Sequence, residues 1–317
     1  MALLKRLFMN RGMPTLSLKG RVCVLLFLFV FLQIISTPTF AQDLHNRSED
    51  MFHLGRVIIA KEPLPDRVFQ AQKNKILVSV VFVEKGTDKV VNNSLGTGFL
   101  SEISGVIVTA RHLLDMALVD MERMKNNIIK SNPKFDYDYV FMGTIITRSE
   151  WINFPLSLVA IGEKGTFEDI MALRIDAQTM QRAGEISVLN SYRILTKTLK
   201  FAESNVGEVV YISGFAPVVS EYLDKSGVKT SVFVDLINHT FPAEVEAVIS
   251  DMPVNRVGIE KIYRLRDSAE PGFSGGMVLN DKGEVIGMTI AVSISKNFVY
   301  AISSKDIEQF LKDNKVK

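Results

Sequence analysis

Glu270-Pro271-Gly272-Phe273-Ser274-Gly275-Gly276-Met277 sets a serine among glycines, directly ahead of the apolar run Met277 to Leu279. Without a Cβ, glycine lets the backbone turn so that Ser274 Oγ projects outward while neighbouring amides converge on one point. Convergent N–H donors of that kind form an oxyanion hole, and here they are the backbone N–H groups of Gly272 and Ser274. Ser-Gly-Gly alone is also an ordinary β-turn between two strands. The stretch acquires chemical meaning only through what precedes it in the chain.

Two earlier stretches supply the partners that an activated serine needs. Glu168-Asp169-Ile170-Met171-Ala172-Leu173-Arg174-Ile175 is an acid heading an apolar strand. Thr109-Ala110-Arg111-His112 ends a strand and starts a helix, where a side chain can be fixed facing a cleft. A serine nucleophile needs a base to take its proton, and an imidazole base needs a carboxylate to fix its tautomer and stabilise the imidazolium. The chain has 4 histidines. His45 and His53 lie in a polar N-terminal segment and His239 ends a strand, so His112 is the candidate base. Asp169 is the candidate partner, with Asp136, Asp138 and Asp176 as rivals.

Around these stretches the composition is globular: 317 residues, 47% hydrophobic and 23% charged, which argues against disorder, collagen and coiled coil. The formal charge of +2 hides an asymmetry. Residues 1–41 carry five bases (Lys5, Arg6, Arg11, Lys19, Arg21) and no acid, which leaves 32 bases against 35 acids beyond them. No broad cationic surface for nucleic-acid phosphates is expected, and no nucleic-acid partner. The basic start, the apolar segment Val22 to Ile35 and the small residues Thr39 and Ala41 resemble a secretory signal peptide over 1–41. An uncleaved anchor would need ~20 apolar residues, more than this run offers. Contact with a membrane is expected only during export, to a periplasm or the medium. The sole cysteine, Cys23, lies inside the segment. The processed chain is therefore expected to lack thiol nucleophiles, disulfides and thiolate metal sites.

The remaining length fits one large domain or two small barrels. Short β-branched runs separated by Gly, Asn, Asp and Lys form two series, Ile76 to Ile175 and Val209 to Ile302, joined by a passage over 184–203. Many short strands at this spacing predict an all-β fold, sandwich or paired barrels. Helices are expected over Leu113 to Asn126 and Ser304 to Asn314, the latter with Ile307, Phe310 and Leu311 on one face.

Taken together, Gly96-Thr97-Gly98-Phe99-Leu100, Gly105 to His112, Asp169 to Leu173, Gly207 to Pro217, Gly272 to Gly276, Gly283 to Gly287 and Tyr300-Ala301-Ile302 resemble the trypsin-like (chymotrypsin-fold) serine peptidases, nearest to the HtrA type. The resemblance implies two packed six-stranded β-barrels over 76–312, the first at about 76–183 and the second at about 204–303, following an N-terminal segment at 42–75. It also implies an endopeptidase acting on protein or peptide substrates through His112, Asp169 and Ser274, with an acyl-enzyme intermediate. No metal or organic cofactor is required by that chemistry.

Departures from the family pattern carry their own expectations. Phe273 stands where digestive relatives have an aspartate that pairs with a new N-terminus, so activation by that ion pair is not expected. Met277 replaces a proline frequent after Ser-Gly-Gly. The chain stops soon after Lys312, so no PDZ domain is expected. By analogy the specificity pocket is lined by Ser268, Thr289, Ile290 and Ala291, together with Ala269, favouring an uncharged, small or medium apolar side chain before the cleaved bond, with a basic one as the alternative because Asp267 is close in sequence. The long stretch 113–154 reads either as an accessory helix or lid or as a surface insertion without a role. Two other readings compete with an active enzyme: a pseudoprotease that holds peptides, and an envelope protein whose three motifs coincide.

Overall fold

The computed structural model describes residues 52–59, 63–87, 89–130, 132–146, 151–163, 168–182, 186–191, 193–194, 197–223, 229–250, 259–266, 272–293 and 297–317. Residues 1–41, His45 and Ser268 lie outside this set.

The first barrel is closed by six antiparallel strands in the order β2-β3-β4-β7-β6-β5. They are β2 (Lys75–Glu84), β3 (Val90–Leu100), β4 (Val106–Thr109), β5 (Tyr137–Ile146), β6 (Trp151–Ile161) and β7 (Met171–Ile175). The sequence Lys75-Ile-Leu-Val-Ser-Val-Val-Phe82 shows why β2 is buried on both faces. Side chains alternate across a strand. Ile76, Val78, Val80 and Phe82 fill the barrel interior, whereas Leu77 packs outward against Phe215 and Leu236 of the second barrel. Lys75 therefore shares the outward, inter-barrel face. Helix α2 (His112–Ile128) crosses between β4 and β5 and seats Leu113, Leu114, Ala117 and Met121 on the interior cluster.

The second barrel joins β9-β10-β13-β12-β11-β8, and a β8–β9 pairing closes it. Its strands are β8 (Val209–Leu223), β9 (Lys229–Ile249), β10 (Ile262–Arg266), β11 (Met277–Leu279), β12 (Val285–Ser293) and β13 (Phe298–Ser303). Val210, Ile212, Phe241, Tyr263, Phe273 and Val278 belong to its core. Between the barrels, Phe99, Val108 and Ala172 of the first meet Met277, Val285 and Met288 of the second in one cluster. The same cluster receives Ile307, Phe310 and Leu311 of the C-terminal helix, Ser304–Asp313. Ser303 caps that helix, its Oγ accepting from Asp306 N at 3.1 Å, as expected for a serine preceding an apolar helical face. Two short helices, Ala177–Arg182 and Ile186–Ser191, lie in the passage between barrels.

Three features differ from the sequence reading. Strand β9 runs unbroken through Pro242, where Asn238 to Pro242 reads as a break; Pro242 pairs in register with Tyr211. A further strand, β1 (Phe52–Ile59), pairs in parallel with β9, Phe52 opposite Val232 and Ile59 opposite Asn238. A short helix, α1 (Asp66–Ala71), precedes β2 and buries Val68 and Ala71. Short segments of this kind carry too little periodicity to stand out in a sequence, and they gain their order from tertiary partners.

Candidate active site

Strand β4 ends at Thr109 and α2 begins at His112, so the imidazole is delivered at a rigid strand-to-helix corner. Asp169 lies two residues before β7, the strand that pairs with β4. Strand pairing thus brings the two together. One carboxylate oxygen of Asp169 accepts from the backbone N–H of His112 at 2.7 Å, and the other pairs with Nδ1 of the ring at 2.5 Å. A carboxylate can only accept, so Nδ1 carries the proton and Nε2 is left with its lone pair. The side chains of His112 and Asp169 are 29% and 21% exposed, enough to reach a substrate and not enough to rotate freely.

The rival acids are engaged elsewhere. Asp136 accepts from Lys85 at 3.0 Å and Lys125 at 3.1 Å, and these bonds, that from Lys85 first, hold its carboxyl at about 2. Asp176 accepts from Thr179 N and Oγ1 at 3.0 and 2.5 Å, capping the turn after β7. Asp138 lies on β5 opposite Val83.

Ser274 belongs to the second barrel and is held to the first by backbone. Thr97 N donates to Ser274 O at 3.1 Å. Gly275, at φ +82°, sits so close to the first barrel that a Cβ there would lie 2.0 Å from Thr97 O and 2.9 Å from Ala110 N. Only glycine meets both the positive φ and that approach. The turn is tied internally by Gly276 N donating to Phe273 O at 2.7 Å and by Gly275 N donating to Thr289 O at 2.8 Å. Gly272 takes φ 101°. The N–H groups of Gly272, Phe273 and Ser274 have no hydrogen-bond acceptor among the described residues. No hydrogen bond joins Ser274 Oγ to His112 among the described residues.

The sequence profile of the trypsin-like peptidase domain matches residues 96–288, which spans all three stretches. The chain belongs to that family. Its fold likeness extends to solved peptidase structures of low identity. The Rv3671c protease from M. tuberculosis in its active form is 15% identical with a TM-score of 0.45, covering 83% of this chain and 92% of that one. Its inactive form gives 14% and 0.45, over 81% and 98%. The HtrA-type protease AlgW with a decapeptide gives 12% and 0.46, over 79% and 67%. No curated protein sequence matches the chain.

The peptidase uses the residues read as pocket lining unequally. Thr289 is buried, and its hydroxyl donates to Phe273 O and also approaches Gly276 O at 3.3 Å, so it braces the serine turn. Ile290 packs partly against the inter-barrel cluster, Ala291 is exposed, and a register shift falls between Thr289 and Ala291.

Sequence reading passed over three supporting groups. Thr97 is fully buried; its Oγ1 donates to Gly272 O at 3.0 Å and accepts from Phe215 N at 2.9 Å, and its O accepts from Thr109 Oγ1 at 2.6 Å. Arg111 is 7% exposed, donates from Nη1 to Gly162 O at 2.7 Å and pairs with Asp115 at 3.2 Å, fixing the start of α2. Lys75 is the third. The Gly-Thr-Gly spacing at 96–98 was a signal for the first; a basic residue heading an apolar strand, as Lys75 does, was a signal for the last. Among the described residues no cluster of three or more His, Cys, Asp or Glu is placed to hold a metal ion.

Proposed function

We propose that this trypsin-like peptidase is a serine endopeptidase that cleaves protein or peptide substrates through a covalent acyl-enzyme. The observation that carries the reading is the double acceptance by Asp169 from His112, which leaves Nε2 of the neutral ring as a base, on the barrel to which the Ser274 turn is bonded through Thr97. In the first step Ser274 Oγ attacks the carbonyl carbon while Nε2 takes the hydroxyl proton. The N–H groups of Gly272 and Ser274 donate to the tetrahedral oxyanion, a stabilisation whose loss typically costs ~10²-fold or more in rate. His112 then returns the proton to the leaving nitrogen as the C–N bond breaks. Water attacks the resulting ester, again giving its proton to Nε2, and Ser274 recovers its hydrogen when the acid leaves. Proton transfer requires Ser274 Oγ to come within hydrogen-bond reach of Nε2 when substrate is bound.

Ser268, Thr289, Ile290 and Ala291 bear no charge, which supports a preference for an uncharged side chain before the cleaved bond. Residues 1–41 are proposed as an export signal, placing the mature enzyme in a periplasm or the medium.

The test is covalent labelling by a fluorophosphonate probe, comparing the parent with Ser274→Ala and His112→Ala. Labelling of the parent at Ser274, and none in either variant, is expected. A Ser274→Ala protein that labels or cleaves at the parent's rate removes Ser274 from the role of nucleophile. A folded parent that binds peptides without labelling is a peptide-holding protein instead.

A further inference from the structure

Lys75 begins β2 on the face that packs against the second barrel, and its ammonium is fully buried there. Buried lysines are normally paired with an acid. Among the described residues this one has only neutral acceptors. Nζ donates to Ser213 Oγ at 2.9 Å, His239 O at 3.2 Å and Gly214 O at 3.3 Å, and lies 5.1 Å from the centre of the Phe215 ring. Three donors of an ammonium thus meet three oxygens. The polarity continues outward: Thr240 Oγ1 donates to Gln72 Oε1 at 2.6 Å, so the 2.7 Å contact between Ser213 and Thr240 has Ser213 as donor.

The same two residues that give Lys75 their carbonyls also wall in the serine turn. Phe273 is fully buried and packs against Gly214, where an added Cβ would come within 2.5 Å of its ring. Its other neighbours are Phe241, with ring centroids at 5.6 Å, and the ring of His239 at 6.5 Å. One residue beyond Phe273 is Ser274.

We propose that Lys75 is a positioning residue, whose amine fixes Gly214 and His239 under Phe273 and so sets the conformation of the Gly272–Ser274 turn. This rests on the serine peptidase reading for its catalytic consequence alone. Burial without an anion lowers the ammonium to about 7. Of the titratable or charged groups around it among the described residues, His239 offers its backbone carbonyl and turns its ring to Phe241 and Phe273. Lys73, three-residue neighbour of Gln70, points away to that side chain and to Phe69. No carboxylate acts on the amine among the described residues. A neutral amine has two donors and a lone pair, so on losing its proton to solvent Lys75 keeps both carbonyls only if Ser213 turns its hydroxyl from Thr240 to the lone pair. Gly214 O and His239 O can only accept. Deprotonation therefore either frees a carbonyl or breaks the Ser213–Thr240 bond, and it removes the charge that strengthens the remaining bonds, so the grip on the floor of the turn weakens as pH rises through neutrality.

Lysine-selective ¹³C labelling, with the Lys75 Cε resonance identified by its loss in Lys75→Met, reads the proton directly; a midpoint near 7 is expected, and a midpoint above 9 overturns the proposal. In the Ser274→Ala chain the amide resonances of Gly275 and Gly276 should move with that midpoint, and their indifference to it also overturns it. For the enzyme, the ratio of parent to Lys75→Met turnover should be at least tenfold at pH 6, with KM within twofold, and should fall several-fold by pH 9. Groups common to both proteins cancel in the ratio. A ratio of one, or one that is constant with pH, overturns the proposal. If Lys75→Met does not fold, Ser213→Ala, which deletes one acceptor, must lower the Cε midpoint and turnover together. A parent that never labels at Ser274 overturns the serine peptidase reading, while amide shifts that track Lys75 still support the positioning.

Discussion

Thr97 on the first barrel donates its backbone N–H to the carbonyl of Ser274 on the second, at 3.1 Å, and its hydroxyl to the carbonyl of Gly272, two residues earlier. A single buried residue thereby holds both ends of the serine turn against the barrel that carries His112 and Asp169. Thr97→Val keeps the shape and the backbone bond but deletes the hydroxyl, which leaves Phe215 N without its acceptor. Stability should fall by about 1–3 kcal/mol, measured by chemical denaturation, and turnover by roughly tenfold, about 1.4 kcal/mol of barrier, with little change in KM. Unchanged turnover would show that the turn holds its geometry without this bridge.

The close approach at Gly275 predicts a large, local effect. An alanine Cβ would collide with Thr97 O at 2.0 Å and Thr109 Oγ1 at 2.5 Å, and the φ of +82° adds strain. Gly86 has a similar φ of +78° with nothing within 4 Å, so Gly86→Ala isolates the strain alone. Gly86→Ala should cost about 1–2 kcal/mol. Gly275→Ala should cost clearly more, or prevent folding, and should abolish labelling of Ser274. Equal thermal stabilities of the two variants would mean that the barrels can part at this point without penalty.

Asp169→Asn tests the orientation of the imidazole. The amide oxygen can still accept from the His112 backbone N–H, but the NH₂ then faces Nδ1 and forces it to accept. Nε2 carries the proton in that tautomer and cannot take one from Ser274. Turnover should fall by roughly 10³- to 10⁴-fold, with thermal unfolding close to the parent's. Full activity would show that another acid serves His112.

Lys75 also predicts how stability depends on pH. Its folded value, about 7, lies below the ordinary 10.5 of an unfolded lysine, so between these limits the unfolded chain binds more protons. Stability should rise with pH across that window, by at most about 1.4 kcal/mol per unit, and stay flat in this respect below it. The difference in unfolding free energy between the parent and Lys75→Met, followed from pH 6 to 10 by urea titration, removes the contribution of groups common to both. A difference that does not rise above pH 7 would show that the ammonium survives in the seam.

The alternating apolar runs, the His-Asp-Ser order of the three stretches and the glycines around Ser274 were legible in the chain itself, because strand periodicity and the steric freedom of glycine are local properties. They were sufficient for an all-β fold, sandwich or paired barrels, and for singling out His112 and Ser274, with Asp169 as one acid among rivals. Sequence could not choose Asp169 over Asp136 and Asp176 by composition; strand pairing of β4 with β7 made that choice, and the rivals met Lys85, Lys125 and Thr179 instead. Strand β1 and the unbroken run of β9 through Pro242 likewise depended on partners distant in sequence. The roles of Thr97 and Lys75 were decided by tertiary structure alone. Each begins as an ordinary polar residue in a strand, and what it does follows from which carbonyls the second barrel brings within hydrogen-bond reach, a matter of packing between segments more than a hundred residues apart.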